Sequence, residues 1–491
     1  MRELDHPPYA PSLTESMRAV GYSLESAIAD LIDNSLYADA RSIRIRFSPY
    51  DIPYIAIIDD GSGMISEELI RAMRHGSQSP TNSRATNDLG RFGLGMKTAS
   101  LSQCRELTVV SMKNGQLSAA RWDLDVVAST QRWTLLLLDP TEIEKLLFVN
   151  DLKSQGKGTM VLWRRLDRLS AGEGSVELAL GEGMVRVREH LALVFHRFLS
   201  SEGKLNHVDI SINENPVRPL DPFLTWHRAT QKLPEEQIRL GDGLVLVQPY
   251  ILPHYSKLAP SELELAGGEE GLRRQQGFYV YRNRRLIIWG TWFRLARQEE
   301  LSKLARVRVD MPNTLDHLWT LDIKKSVAHP PLEVRQNLKR IVERIAEGSR
   351  RVYTYRARRA NDDTFVHIWD RTEGRDGISY RVNREHPIIA SVAGRLDDTD
   401  VRLFFSALKA LEEMFPAEAL YGDMASDRRH VQQRPPISSE EELADLAGQL
   451  LDACGTNRAS RMNLLSSLHL LEPFSYHPDL TRAVVARMQS E

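Results

Sequence analysis

Apolar residues recur near the start of the chain at Met17, Val20, Leu24, Ile28, Leu31 and Ile32, close to the 3.6-residue period of a half-buried helix, and predict one helix over 14–36. The period then changes. SIRIRF (42–47) alternates as a strand with one wet face, and YIAIIDD (54–60) is an apolar run closed by turn residues, the pattern of a buried strand. From 75 to 87 the stretch HGSQSPTNSRATN keeps no apolar period and is dominated by polar and turn-forming residues, which predicts a mobile loop. ELTVVSM (106–112), WTLLLLD (133–139) and KGTMVLW (157–163) return to strand patterns.

A polar, glycine-containing stretch, SAGEGS (170–175), predicts a domain boundary. Beyond it come an amphipathic helix near 185–199 and VDISINENPV (208–217), whose Asn-Glu-Asn-Pro reads as a hairpin turn. FYVYRNRRLII (278–288) repeats that logic with Asn283 at its turn, and a helix is expected over about 332–356. A third segment from about 362 holds NREHP (383–387), which reads as a structural turn, a helix near 401–413 and a helical tail from 440. No internal repeat emerges.

At 491 residues the chain is long enough for about three domains, and 42% apolar with 26% charged residues is ordinary for a soluble globular protein. No apolar run reaches the length of a membrane helix, and the start MRELDHPPYAPS has no secretory h-region, so a cytoplasmic protein without membrane contact is expected. Cys104 and Cys454, the only cysteines, lack metal-type spacing. The net charge of −2 hides an asymmetry: residues 271–359 carry 21 Lys plus Arg against 8 Asp plus Glu.

Three short segments carry chemistry. In ADLIDN, Asp30 and Asn34 are four apart, which puts both on one helix face within reach of one ligand or ion. In IIDDGSGM (57–64), Asp59 ends an apolar strand and can accept a hydrogen bond from an exocyclic amine, while Gly61 and Gly63 let a base approach the backbone. In GRFGLGMKTAS (90–100), Gly90, Gly93 and Gly95 precede Lys97, Thr98 and a helical sequence. Such a run can aim backbone N–H groups at phosphates, with Lys97 adding a point charge. Asn34 carries a neutral oxygen suited to Mg²⁺, and Asp30 could orient or deprotonate a water.

In order, residue type and spacing these segments resemble the GHKL superfamily of ATPases, nearest to its MORC-like and MutL-like branch. The resemblance covers about the first 165 residues and continues more loosely to 359. It implies an α+β chain: a Bergerat α/β sandwich over 1–170, an S5-like α+β transducer over 175–359, and a smaller, mostly helical region over 362–491. It also implies ATP and Mg²⁺ as cofactors, with Asn34 as the magnesium ligand, Asp30 as general base and Asp59 as the adenine-reading carboxylate. Gly61, Gly63 and Met64 would lie behind the base. Gly90, Gly93, Leu94, Gly95, Met96, Lys97 and Thr98 would form the phosphate-binding end of a lid over 76–88, and Thr159 would support Asp59. A lysine of DIKKS, Lys324 or Lys325, would reach the γ-phosphate. Where the family usually has Glu as base this chain has the shorter Asp30, which implies slow turnover.

The basic stretch 271–359 interleaves arginines with Tyr279, Tyr281, Trp289, Trp292, Tyr353 and Tyr355, a composition suited to DNA. The expectation is an ATP-dependent homodimer closing as a clamp on DNA, with a partner nuclease or methylase, in restriction, antiphage defence or repair. A chaperone-like ATPase acting on protein clients and a nucleotide sensor with little turnover stand as alternatives. A histidine kinase is disfavoured, since only His6 precedes the site.

Overall fold

The computed structural model describes residues 6, 8–19, 21–76, 95–169, 175–200, 207–241, 243–254, 257–267, 271–298, 302–316, 318–321, 328–342, 344–345, 366–374, 377–417, 420, 439–453 and 457–490. The chain is α+β and divides into two compact units, 1–349 and 350–491. The expected loop over 75–87 lies almost wholly outside the described residues, as do Gly90, Gly93, Leu94, Lys324 and Lys325.

The first unit opens with α1 (Ala10–Arg18) and α2 (Leu24–Tyr37). A single helix over 14–36 is thus corrected to two. Gly21 takes a positive φ of 76°, and Ser23 caps α2 by accepting from the Ser26 N–H, so the apolar period spans a break that its spacing conceals.

A first sheet is built from β1 (Ser42–Ser48), β2 (Tyr54–Asp59), β3 (Glu106–Lys113), β4 (Gln116–Asp123), β5 (Leu136–Leu137), β6 (Gly158–Arg164), β7 (Asp209–Ile212) and β8 (Asn215–Pro216), in the order β5-β4-β3-β6-β2-β1-β7-β8. All its pairings are antiparallel except β1 with β7. WTLLLLD supplies only the two-residue β5. The helices are α3 (Ser66–Met73), α4 (Gly95–Leu101), α5 (Leu124–Thr130), α6 (Pro140–Glu144), α7 (Val149–Gln155), α8 (Val176–Val194) and α9 (His196–Leu199).

The continuous apolar character of YIAIIDD follows from burial on both faces. Ile55 and Ile57 join the core under α1, α2, α4 and α8, whereas Ile58 joins a second cluster with Ile143, Val149 and Leu152 of α6 and α7. The first core extends to Val208, Ile210, Ile212 and Val217, so the sheet that begins at β1 takes in chain well beyond residue 170.

A second sheet holds β9 (Gln231–Lys232), β10 (Glu236–Leu240), β11 (Gly243–Ile251), β12 (Gly277–Arg282), β13 (Arg285–Thr291) and β14 (Ala305–Met311) in the order β10-β11-β14-β12-β13, with β9 on β11. The β12–β13 hairpin turns at Asn283 and Arg284, both with positive φ (48° and 73°). It docks on α8 and α9. His196 hydrogen-bonds the Tyr281 hydroxyl at 2.7 Å, Arg284 donates to the Arg197 carbonyl at 2.7 Å, and Arg197 pairs with Asp310.

The second unit contains a hairpin, Trp369–Gly374 with Gly377–Val382, a helix, Asp398–Glu413, against its second strand, and the helices Glu440–Ala453, Arg458–Ser467 and Pro478–Ser490 around Leu443, Leu450, Leu468 and Phe474. NREHP is a turn: the Asn383 side chain accepts from the Glu385 N–H, and the His386 ring accepts from the Ile388 N–H to cap a helix.

Candidate nucleotide-binding site

Asp59 stands at the end of β2, 6% exposed. Three donors converge on it: Ser35 Oγ donates to Oδ2 at 2.8 Å, while the Gly61 and Thr159 N–H groups donate to Oδ1 at 2.9 and 3.2 Å. Burial pushes its pKa up, and the three hydrogen bonds oppose that shift. The carboxylate is therefore held in one orientation, which suits a group that must read a hydrogen-bond pattern.

The glycines around it are there for space. A Cβ on Gly61 would stand 2.8 Å from the Ala38 Cβ and 2.9 Å from Asp59 Oδ1. Gly63 has φ +67°, and a Cβ there would fall 2.0 Å from the Met112 carbonyl oxygen. Half-buried Met64 donates its N–H to Ser111 Oγ at 2.8 Å, and Ser111 in turn donates to the Gly158 carbonyl at 3.1 Å or shares a 2.9 Å bond with Thr159 Oγ1. Thr159 thus meets Asp59 through its backbone, and its hydroxyl goes to Ser111.

Asp30 and Asn34 lie one turn apart on α2, Asp30 only 5% exposed and Asn34 exposed. Tyr22 donates its hydroxyl to Asp30 Oδ2 at 3.0 Å. A Cβ on Gly95, at the start of α4, would lie 3.5 Å from that same oxygen, so Gly95 stands beside Asp30. Met96 is half-buried, and Thr98 is buried. Lys97 is 3% exposed and donates to the Ala72 carbonyl of α3 at 2.9 Å; burial lowers its pKa to about 8. Its ammonium is turned into the protein.

Ser35, Tyr22, Ser111, Gly158 and Arg285 are site residues that motif spacing missed. Ser35 had a local signal, since it adjoins Asn34 on a helix already facing β2. Gly158 had one too, a glycine opening a strand. Its φ is +120°, and a Cβ would fall 2.0 Å from the Asp59 carbonyl oxygen. Tyr22 stands just ahead of the Ser23 cap of α2, whereas Ser111 and Arg285 arrive from distant elements.

Several of the described arginines and aromatics of 271–359 are internal. Arg282 pairs with Asp316, Arg285 with Asp33 and Arg308 with Asp310, and Arg306 donates to the Pro222 and Ala266 carbonyls. Tyr279, Tyr281 and Trp292 are core, and Tyr353 and Tyr355 lie outside the described residues. Arg282, Arg285, Arg306, Tyr279, Tyr281 and Trp292 are therefore not part of the DNA-facing surface expected of 271–359, since a guanidinium committed to an internal carboxylate or carbonyl is not available to a phosphate backbone. Exposed cations of this stretch include Arg273, Arg274, Arg294, Arg297, Arg335, Lys339 and Arg340.

Residues 22–159 match the family described as histidine kinase-, DNA gyrase B-, and HSP90-like ATPases. They form a domain of that family. Over 95 residues the chain is 36% identical to ATPase morc-1 of Caenorhabditis elegans, and over 96 residues 36% identical to DNA mismatch repair protein MutL of Colwellia psychrerythraea. Each match takes in 19% of this chain, but only 11% and 15% of the respective relatives. A crystal structure titled as the N-terminal domain of a DNA repair protein aligns with 72% of this chain and 99% of its own, at 15% identity and a TM-score of 0.42. Among the described residues no helix is long and apolar enough to cross a membrane.

Proposed function

We propose that the chain binds ATP with Mg²⁺ and hydrolyses it slowly, as a MORC- and MutL-like switch. The observation that carries this is Asp59, a buried carboxylate oriented by three donors between glycines that leave no room for a side chain. In this reading Asp59 accepts from the adenine amine, and Asn34 offers one neutral oxygen to the metal. That donor set fits Mg²⁺, which keeps waters and phosphate oxygens as its remaining ligands. Bound magnesium would supply charge neutralisation at the phosphates. Asp30 orients and deprotonates the attacking water, Gly95 to Thr98 close the phosphate end, and Lys324 or Lys325 contacts the γ-phosphate.

The same reading takes the chain to DNA as an ATP-dependent homodimer, with nuclease or methylase partners in defence or repair. The names of the relatives support this, as do the exposed Arg335, Lys339 and Arg340 on the helical stretch 332–342. Calorimetric titration with ATP and Mg²⁺ tests the core of the proposal. Binding that survives Asp59→Ala unchanged would remove Asp59, and the site with it.

A further inference from the structure

Arg285 crosses from the second sheet to the helix that carries Asp30. It sits at the first position of β13, directly after the Asn283–Arg284 turn. Its Nε donates to Asp33 Oδ1 at 2.8 Å and lies 2.7 Å from Oδ2, and its Nη2 stops 3.9 Å from Asp30 Oδ1. All three side chains are buried, and the guanidinium lies over the Phe195 ring, 5.7 Å from its centroid. One guanidinium thus stands between two carboxylates of one helix, in hydrogen-bond contact with Asp33 and just out of such contact with Asp30.

We propose that Arg285 is a positioning residue for Asp30, and that Asp33 is the anchor that keeps it from capturing the base. The proposal rests on the reading of Asp30 as the base. An arginine bonded directly to Asp30 would occupy the oxygen that must take a proton from water; held by Asp33, it keeps the helix in place without doing so. Because the hairpin is also fastened to α9 through Tyr281 and Arg284, a shift of the second sheet moves this guanidinium relative to Asp30. The second sheet then acts on turnover through Arg285, independently of any contact it makes with the nucleotide.

The test compares single-turnover ATP hydrolysis and the affinity for a non-hydrolysable ATP analogue in full-length wild type, Asp30→Ala, Arg285→Gln, Asp33→Asn and the double variant Asp33→Asn with Arg285→Gln. Arg285→Gln is expected to slow hydrolysis roughly tenfold with analogue affinity within about twofold, since misplacing a base affects the chemical step. Asp33→Asn releases the guanidinium onto Asp30 and is expected to be slower still. Removing Arg285 in that background should restore hydrolysis to the level of Arg285→Gln alone, a non-additivity that loss of packing cannot produce.

A double variant as slow as Asp33→Asn, or an Arg285→Gln that changes affinity and rate alike, overturns the proposal. Should Asp33→Asn fail to fold in a thermal melt, the rate-against-affinity split of Arg285→Gln decides alone. Wild-type hydrolysis by Asp30→Ala would instead sink the reading of Asp30 as base, a separate outcome.

Discussion

Ser35 Oγ donates to Asp59 Oδ2 at 2.8 Å, so the residue next to Asn34 on α2 orients the carboxylate at the end of β2. Removing the hydroxyl leaves one carboxylate oxygen with a donor fewer in a buried setting. Ser35→Ala is expected to weaken ATP binding by about 1 kcal/mol, roughly fivefold, as read by calorimetric titration. Unchanged affinity would mean that the backbone donors of Gly61 and Thr159 orient Asp59 unaided.

Asp30 and Asn34 share a helix face but should fail differently. Asp30→Ala is expected to keep nucleotide affinity and lower single-turnover hydrolysis by about a hundredfold or more, the usual worth of a general base. Asn34→Ala should lose Mg²⁺-dependent ATP binding. Equal magnesium dependence in wild type and Asn34→Ala would take Asn34 out of the metal's coordination.

Gly63 and Gly158 admit no side chain. A Cβ at either would stand 2.0 Å from a backbone carbonyl oxygen, at positive φ. Gly63→Ala and Gly158→Ala should each destabilise the first unit by about 2–4 kcal/mol in urea unfolding. A loss under about 0.5 kcal/mol would show that the packing of β2, β3 and β6 yields easily.

Lys97 carries a pH signature. Burial lowers its folded pKa to about 8, below the ordinary value of 10.5, so between those limits the unfolded chain holds the proton that the folded chain has released. Stability from this group therefore rises as pH increases from about 8 to 10.5, by about 1–3 kcal/mol. Denaturant unfolding of wild type and Lys97→Met across that window measures the difference. Parallel curves would mean that the ammonium is solvated after all.

For DNA, the informative cations are the exposed ones. Replacing Arg335, Lys339 and Arg340 with Gln should weaken DNA binding and flatten its salt dependence, by up to about 0.9 in log–log slope for each phosphate no longer neutralised. Arg282→Gln breaks a buried pair with Asp316 and should instead destabilise the fold by about 3–5 kcal/mol. A salt slope unmoved by the triple change would place any DNA-binding surface elsewhere.

Asp30, Asn34, Asp59 and the glycines beside it were legible because their chemistry is local. Four-residue spacing on a helix and a strand end followed by glycines place functional groups by backbone geometry alone, whatever packs around them. The hairpins at 213–214 and 283–284 were legible for the same reason, since a turn is decided by the residues in it. The break between α1 and α2 was not, because apolar spacing records which face is buried and not whether one helix or two supplies it.

What only the tertiary structure decided is which charges are internal. Arg285 and Asp33 are 252 residues apart and meet because a hairpin of one sheet docks on a helix of the other. A count of arginines in 271–359 cannot separate those paired inside from those facing water, since the pairing depends on carboxylates brought by other elements. The sequence alone placed Asp30, Asn34, Asp59 and the glycines beside it, the residues of the proposed nucleotide site, through short spacing. Packing between the two sheets decided that Arg282, Arg285 and Arg306 are internal and that Arg285 reaches Asp33 beside Asp30, because a buried guanidinium is stable only where a distant carboxylate or carbonyl meets it.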